Sequence, residues 1–431
     1  MKSNKGVAVI IAGLGINLVI GVLYAWSIFK EAIVESIARG GEGAFNWAPT
    51  SLNDPYALCC LIFSFSMVPA GRMQDLMGPR KVALIGGLLG GAGFLLIANS
   101  VDYWVWMFGF GGLVGAGIGF AYASTTPAAL RWVAPNKSGF VTAVVVSGFA
   151  LASLYIAPLA TYLVKGNGLN NSMLFFSVEF FLLVTLFSVF LILPPEGYNP
   201  VGFQERRSAD NDKARHTFAH LDEEVASSLY ALKDTRFWIL WLLLFIGAGA
   251  GLMVIGNVKP LAKLSMGELA YLAIAILAIG DASGRMLAGT LSTRFGRRNV
   301  LTAAFFLQMV LMFSAFYASQ SGAAIYIVIV ATLIGLNYGA NLVIFPSYVK
   351  DFWGMKHFGV IYGMLFTAWG IGGFVMIKVA EYLTHASHSS YSSFMLAGSL
   401  VALGLGLTFC VDNRKDIERA ALRKVFHKHH K

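Results

Sequence analysis

Asp281 and Arg285 stand four residues apart in Leu277-Ala-Ile-Gly-Asp281-Ala-Ser-Gly-Arg285-Met-Leu-Ala-Gly289, inside a stretch otherwise apolar enough to cross a bilayer. An ionised side chain at membrane depth costs about 3 kcal/mol on insertion scales, so it faces the protein interior, pairs, and marks a substrate or proton route. Four-residue spacing puts both groups on one helix face. A guanidinium stays charged at any relevant pH, and its planar fork of donors fits a carboxylate two bonds at a time. The pair therefore suggests a carboxylate-binding cation with an acid beside it; the bland alternative is a structural ion pair with a neighbour such as Glu179.

The elements that must position these two residues follow from composition. With 57% hydrophobic and 13% charged residues over 431 positions, the chain is too apolar for a water-soluble globule. It reads as a polytopic membrane protein. The 47 glycines fit, because small residues let membrane helices approach closely. Cys59, Cys60 and Cys410 lie in or beside apolar segments, and the eight histidines fall outside helix centres. No disulfide framework, no haem or zinc ligand set and no other cofactor is implied.

Apolar windows of about twenty residues fall near 7–29, 53–71, 82–100, 104–130, 138–164, 173–194, 236–258, 268–292, 300–320, 323–349, 355–380 and 391–411. The predicted fold is an all-α membrane protein of twelve transmembrane helices in two six-helix bundles. The first window is too long for a signal-peptide core and reads as an uncleaved helix. Segments on the N-terminal side of the membrane hold 25 Lys and Arg against 5 in the opposite loops. That asymmetry predicts both termini cytoplasmic and accounts for the net charge of +10 without nucleic acid. The predicted domains are an N-terminal bundle over 1–194, a cytoplasmic linker over 195–235, a C-terminal bundle over 236–411 and a basic cytoplasmic tail over 412–431. Within the linker, Leu221, Val225, Leu229 and Leu232 recur at helical spacing, as in a short amphipathic surface helix or a plain solvated one.

An internal repeat supports the halving. Gly71-Arg-Met-Gln-Asp75-Leu-Met-Gly78-Pro-Arg80 is echoed 218 residues later by Gly289-Thr-Leu-Ser-Thr-Arg294-Phe-Gly296-Arg297-Arg298. Parallel repeats of this kind build many secondary transporters, with substrate held near the midplane between halves. These loops resemble the signature of the Major Facilitator Superfamily, and with twelve helices in two halves the resemblance covers the whole chain. It implies a carrier working by alternating access, with Asp75, Arg80, Arg294, Arg297 and Arg298 as gating or signature-loop residues. The acid of the first copy, Asp75, is replaced by Thr293 in the second.

Within that superfamily the closer resemblance is to the oxalate:formate antiporters and the monocarboxylate transporters. It rests on Gly21-Val-Leu-Tyr24-Ala-Trp26-Ser27, Gly115-Ala-Gly117-Ile-Gly119-Phe-Ala-Tyr122, Arg131-Trp132-Val-Ala-Pro135-Asn-Lys137-Ser-Gly139 and Arg236-Phe237-Trp238-Ile-Leu-Trp241. Arg285 matches the arginine of the eighth helix that both groups resemble each other in using for the substrate carboxylate. Asp281 resembles the acid that monocarboxylate transporters carry one turn earlier, which implies proton coupling. As a carboxylate it pairs with Arg285; protonation removes this internal competitor and frees the arginine for an external anion. One proton and one monocarboxylate, such as L-lactate or pyruvate, then cross together as an electroneutral symport.

Oxalate:formate antiporters resemble one another in a lysine of the eleventh helix, and here Trp369 falls at that place in Tyr362-Gly-Met-Leu-Phe366-Thr-Ala-Trp369-Gly. Lys378 does not replace it, because nine residues turn it to the opposite face and about 13 Å along the axis. One cation suits one carboxylate. Tyr24, Tyr122 and Tyr338 align with aromatic positions lining the central cavity of the resembling antiporters, though packing would equally select aromatics. Asn341, one turn from Asn337, is a further candidate for a substrate hydroxyl; a helix-to-helix hydrogen bond is the alternative. Glu179, Lys378 and Glu381 read as gating or structural groups near the outer end of their helices.

Other classes fare worse. A membrane enzyme needs a nucleophile, base or metal ligands converging at depth, and the sequence holds no such motif. A carboxylate sensor without transport and an oxalate:formate-type antiporter stand as alternatives. The expected partners are a small monocarboxylate anion, a proton and the lipid bilayer, with the chain working as a monomer in the cell (inner) membrane.

Overall fold

The computed structural model describes residues 2–134, 137–195, 198, 228–266, 270–321, 324–387 and 391–411. Among these the chain is almost wholly helical, with no strand. Helix α1 runs over Lys2–Ile20, tightens to a 3-10 stretch at Gly21–Ala25 and resumes as α-helix over Trp26–Arg39. Then come α2 (Asp54–Met77), α3 (Pro79–Ala98) and α4, which begins at Tyr103–Trp106, passes through a π-helical stretch at Met107–Val114 and continues over Gly115–Leu130. Ser138–Ser188 divides at Gly168, whose φ of +78° breaks the helix, into α5 (138–167) and α6 (169–188). The second part of the chain supplies α7 (Thr235–Met266), α8 (Ala270–Phe295), α9 (Arg297–Ser321), α10 (Ala324–Trp353), α11 (Phe358–Ser387) and α12 (Tyr391–Thr408).

Each window expected from the sequence coincides with one of these helices, and among the described residues eight spans are long and apolar enough to cross a membrane. The internal repeat is visible as backbone. Gly78 and Gly296, 218 residues apart, both sit at φ near +90°, where an L side chain is strained and a helix must end. Each separates a pair of helices, α2 from α3 and α8 from α9. The linker helix expected around Leu221 and Val225 lies outside the described residues, as does the tail at 412–431; a 3-10 turn at Ser228–Lys233 leads into α7.

The two most extensive contacts between the first half of the chain and the second are α2 along α11 and α5 along α8. Backbones touch there, because a Cβ added at Gly71 would meet the Gly359 carbonyl and one added at Gly139 would meet that of Gly289. In lipid, where burial gives no drive for helices to associate, such close approach supplies the packing energy. Toward the other end of α2 and α11, Lys378 Nζ lies 3.7 Å from Asp54 Oδ1, and the Tyr103 hydroxyl donates to Asp54 Oδ2 at 2.9 Å.

Candidate functional site

The site is built on α8, and α8 is placed by its glycines. Gly280 and Gly284 face α10, and Gly335 and Gly339 of α10 face back. A Cβ at Gly284 would collide with the Leu336 carbonyl, and one at Gly339 would stand 2.5 Å from Asp281 Oδ1. The small residues bring two helices together and leave Asp281 and Arg285 directed toward the centre. There Arg285 and Asp281 are 0% and 1% exposed.

Arg285 Nε donates to Asp281 Oδ1 at 2.7 Å and its Nη2 donates to Oδ2 at 2.9 Å, a two-point fork within one helix. Its Nη1 donates across the halves to the Val146 carbonyl of α5 at 2.5 Å. Three of the five guanidinium N–H groups are thereby engaged. Tyr24, inside the 3-10 stretch of α1, donates its hydroxyl to Asp281 Oδ2 at 3.2 Å. A buried pair of this kind is costly to break from one side, because the remaining charge loses its partner. The same geometry is what an external carboxylate would have to displace.

Around the pair stands an aromatic wall. Tyr122 packs against Phe63, Phe149 and Phe366 at centroid distances of 5.5, 6.0 and 5.5 Å. Trp369 stacks on Phe366 at 5.2 Å and donates its Nε1–H to the Tyr338 hydroxyl at 2.7 Å. The indole thereby satisfies its own polar atom inside the wall. Tyr122 and Tyr362 bring their hydroxyls to 3.5 Å. Tyr24, Tyr122 and Tyr338 thus surround the ion pair, Tyr24 by direct contact.

Asn341 is engaged elsewhere. Its Nδ2 and that of Asn337 both donate to Gln308 Oε1 of α9, at 3.2 and 3.0 Å, while Gln308 Nε2 donates to the Gly247 carbonyl of α7 at 2.8 Å. This cluster links three helices; the Asn341 carbonyl oxygen is buried with no hydrogen-bond partner.

The signature loops lie at the far end of the same helices. Asp75 Oδ1 stands 3.9 Å from Arg131 at the end of α4, and the Arg80 Nη2 donates to the Val189 carbonyl. In the second copy Arg297 forks onto Asp351 at the end of α10, while Arg294 and Arg298 lie over the rings of Phe295 and Phe409. Both copies thus place an acid beside an arginine at helix ends: Asp75 in the last turn of α2 near Arg131 just after α4, and Asp351 in the last turn of α10 against Arg297, which opens α9.

Glu179 departs from expectation. The sequence window put it near the outer end of its helix, but the turn at Gly168 starts α6 earlier, leaving Glu179 eleven residues inward, about 16 Å along the axis. It does not approach Arg285; its Oε1 is 3.5 Å from the Tyr155 hydroxyl. Lys378, nine residues before the end of α11, pairs with Asp54 in the first turn of α2, and the Glu381 side chain lies outside the described residues. The sequence did not single out Val146, Phe63, Phe149 or Gln308 either. The first acts through its backbone carbonyl, and a phenylalanine turned inward looks the same in sequence as one turned to lipid. Among the described residues no group of three or more His, Cys, Asp or Glu could hold a metal.

The sequence profile of the Major Facilitator Superfamily matches residues 6–377. The chain is 25% identical to the MFS-type transporter YhjX of Escherichia coli over 82% of each chain. It is 22% identical to the oxalate:formate antiporter of Oxalobacter formigenes, covering 85% of this chain and 82% of the antiporter. To monocarboxylate transporter 13 of Rattus norvegicus it is 21% identical over 90% of this chain and 85% of that one. The solved structure of the proton:xylose symporter XylE superposes with a TM-score of 0.73 at 14% identity, over 96% of this chain and 97% of that one, and so shares its fold. Fold, repeat and profile agree: the chain belongs to the Major Facilitator Superfamily, a multi-pass integral membrane carrier and not an enzyme.

Proposed function

We propose that the chain carries a small monocarboxylate, such as L-lactate or pyruvate, together with a proton by alternating access. The observation that carries this reading is the buried fork between Arg285 and Asp281. In the empty carrier Asp281 occupies the donors that a substrate carboxylate needs. A proton arriving on Asp281 neutralises it, and the arginine exchanges an internal carboxylate for an external one. Arg285 is then still paired, the proton and the anion balance, and the site crosses the low-dielectric midplane with no unpaired ion. The wall of Phe63, Tyr122, Phe366 and Trp369 supports a single-carboxylate substrate, since it offers apolar surface and hydroxyls where a dicarboxylate needs a second cation. Similarity to a monocarboxylate transporter supports the same substrate class. The two halves of this reading are the bundles of 1–194 and 236–411 joined by the linker of 195–235, with both termini cytoplasmic and the monomer as the working unit.

Anion exchange is the second reading, favoured by similarity to the oxalate:formate antiporter. One experiment separates them: uptake of labelled L-lactate into proteoliposomes under an acid-outside gradient, with pyruvate, formate and oxalate as competitors. Accumulation driven by the pH gradient, inhibited by pyruvate and indifferent to oxalate, is the expected result. Strong competition by oxalate, or uptake only against preloaded anion, overturns the symport.

A further inference from the structure

Glu179 is an acid near the middle of a membrane helix that the scheme above does not use. It is partly buried, and among the described residues no cation lies within ion-pair distance of it. Among the described residues its hydrogen-bond partner is Tyr155 of α5, whose hydroxyl lies 3.5 Å from Glu179 Oε1 and 3.1 Å from the Leu18 carbonyl of α1. The Tyr155 hydroxyl has one hydrogen and two acceptors before it. If Glu179 is protonated, its O–H donates to the Tyr155 oxygen and the tyrosine hydrogen goes to Leu18, so every group is satisfied. If Glu179 is ionised, the carboxylate draws the tyrosine hydrogen and the Leu18 carbonyl loses it.

Leu18 is no ordinary carbonyl. It lies in the last turn of Lys2–Ile20, and the residue four further on, Val22, belongs to the 3-10 stretch, where bonding shifts to three-residue spacing. The Tyr155 hydroxyl adds a side-chain donor to a carbonyl at that junction. The 3-10 stretch is held tightly on α5, since a Cβ on Gly21 would meet Ala152 and would stand 2.7 Å from the Phe149 carbonyl. It also carries Tyr24, the donor to Asp281. The two membrane acids therefore reach α1 within six residues of each other, Asp281 through Tyr24 inside the 3-10 stretch and Glu179 through Tyr155 at the helical turn that leads into it.

We propose that Glu179 is a second proton-binding site of the carrier, and that Tyr155 relays its protonation state to the 3-10 stretch of α1. Among the described residues Tyr155 is the titratable group at its depth, and no charged group on the elements packed around α6 shares it. On α1 the charged residues are Lys2 and Lys5 in the opening turns, Lys5 about 20 Å before Leu18, and Lys30 and Glu31, about 18 Å beyond it, with Tyr24 between; on α5, Tyr162 and Lys165 lie about 10 and 15 Å beyond Tyr155; on α3, Arg80 and Lys81 stand at the opening turn. A carboxylate in an apolar segment with no cation beside it is costly to ionise, which is what suits the group to hold a proton.

The first test needs no substrate. Infrared difference spectra of the purified protein in lipid, wild type minus Glu179→Gln, are titrated from acid to alkaline pH. A protonated-carboxyl carbonyl band present at neutral pH, missing in the variant and lost at high pH, is expected; superimposable spectra overturn the proposal. The second test rests on the monocarboxylate reading and follows L-lactate exchange at equal pH on both sides, so that no proton gradient drives it. The wild type is expected to slow by more than about tenfold per pH unit at alkaline pH, where Asp281 and Glu179 both lose their protons. Glu179→Gln, whose amide still donates to Tyr155, and Tyr155→Phe, which cuts the relay, are both expected to make that limb less steep, leaving only the part that Asp281 contributes. A wild-type pH profile in either variant overturns the relay. A failure of lactate to exchange at all, with the infrared band intact, refutes the substrate and not the proton site.

Discussion

Tyr24 of α1 donates its hydroxyl to Asp281 of α8, a bond of 3.2 Å between residues 257 positions apart that ties the first half of the chain to the carboxylate of the second. The donor favours the ionised acid, since a carboxylate accepts more strongly than a neutral carboxyl. Tyr24→Phe removes it while keeping the ring against Phe149. The alkaline limb of lactate uptake should then move to higher pH. Uptake measured against external pH checks this, and an unshifted profile shows that Tyr24 serves packing alone.

Asp281→Asn keeps the shape of the side chain and removes the titratable group. Uptake driven by a pH gradient should vanish, while exchange of lactate for lactate continues, because exchange needs the arginine and no net proton. Parallel assays of gradient-driven uptake and counterflow on one preparation read both. Unaltered pH dependence of net uptake in the variant refutes Asp281 as the proton carrier.

Arg285→Lys keeps the charge and loses the fork. A lysine cannot present two coplanar donors to a carboxylate and a third to the Val146 carbonyl from one rigid plane. One charge-assisted hydrogen bond is worth about 1.5–3 kcal/mol, so uptake efficiency should fall about 10- to 100-fold. Initial rates over a range of lactate concentrations test it; full activity reduces Arg285 to a structural ion pair.

The sequence made the fold and the centre of the site legible for a physical reason. Twelve apolar stretches and two glycine-arginine loops are local patterns, and two charges in an apolar helix stand out against the price of burying them. Arg285 and Asp281 were therefore visible, and the structure joins them through both oxygens. What the sequence did not reveal depends on rotation and depth. Val146 acts through a carbonyl that every residue possesses, and Phe63 differs from a lipid-facing Phe65 only in the side of α2 it occupies. Glu179 was assigned the wrong depth because hydropathy does not register where the chain turns, whereas the positive φ of Gly168 does.

Trp369→Lys asks whether one residue sets the number of carboxylates. The indole now stacks on Phe366 and donates to Tyr338. A lysine there would remove apolar surface and bring a second cation into the aromatic wall. Lactate uptake should weaken, and oxalate should become an inhibitor at least about tenfold stronger than in the wild type, as a charge-assisted contact implies. Competition curves for oxalate against labelled lactate in both proteins decide it. If oxalate inhibits both equally, the distinction between one and two carboxylates lies elsewhere in the site.

Gly284→Ala tests the scaffold independently of the chemistry. The added methyl would collide with the Leu336 carbonyl, a backbone atom that no rotamer change can move aside, so α8 and α10 must separate. Overpacking of this kind costs about 1–3 kcal/mol, which lowers the thermal transition in detergent by several degrees. Separation also draws Asp281 away from Gly339 and loosens the alignment of the fork with Val146 and Tyr24. Both the melting temperature and the uptake rate should therefore fall. By contrast, Gly166→Ala at the outer end of α5, where an added Cβ meets nothing within 4 Å, should leave both unchanged. A Gly284→Ala protein with wild-type stability and wild-type transport refutes the claim that close α8–α10 packing is what aims the ion pair at the centre.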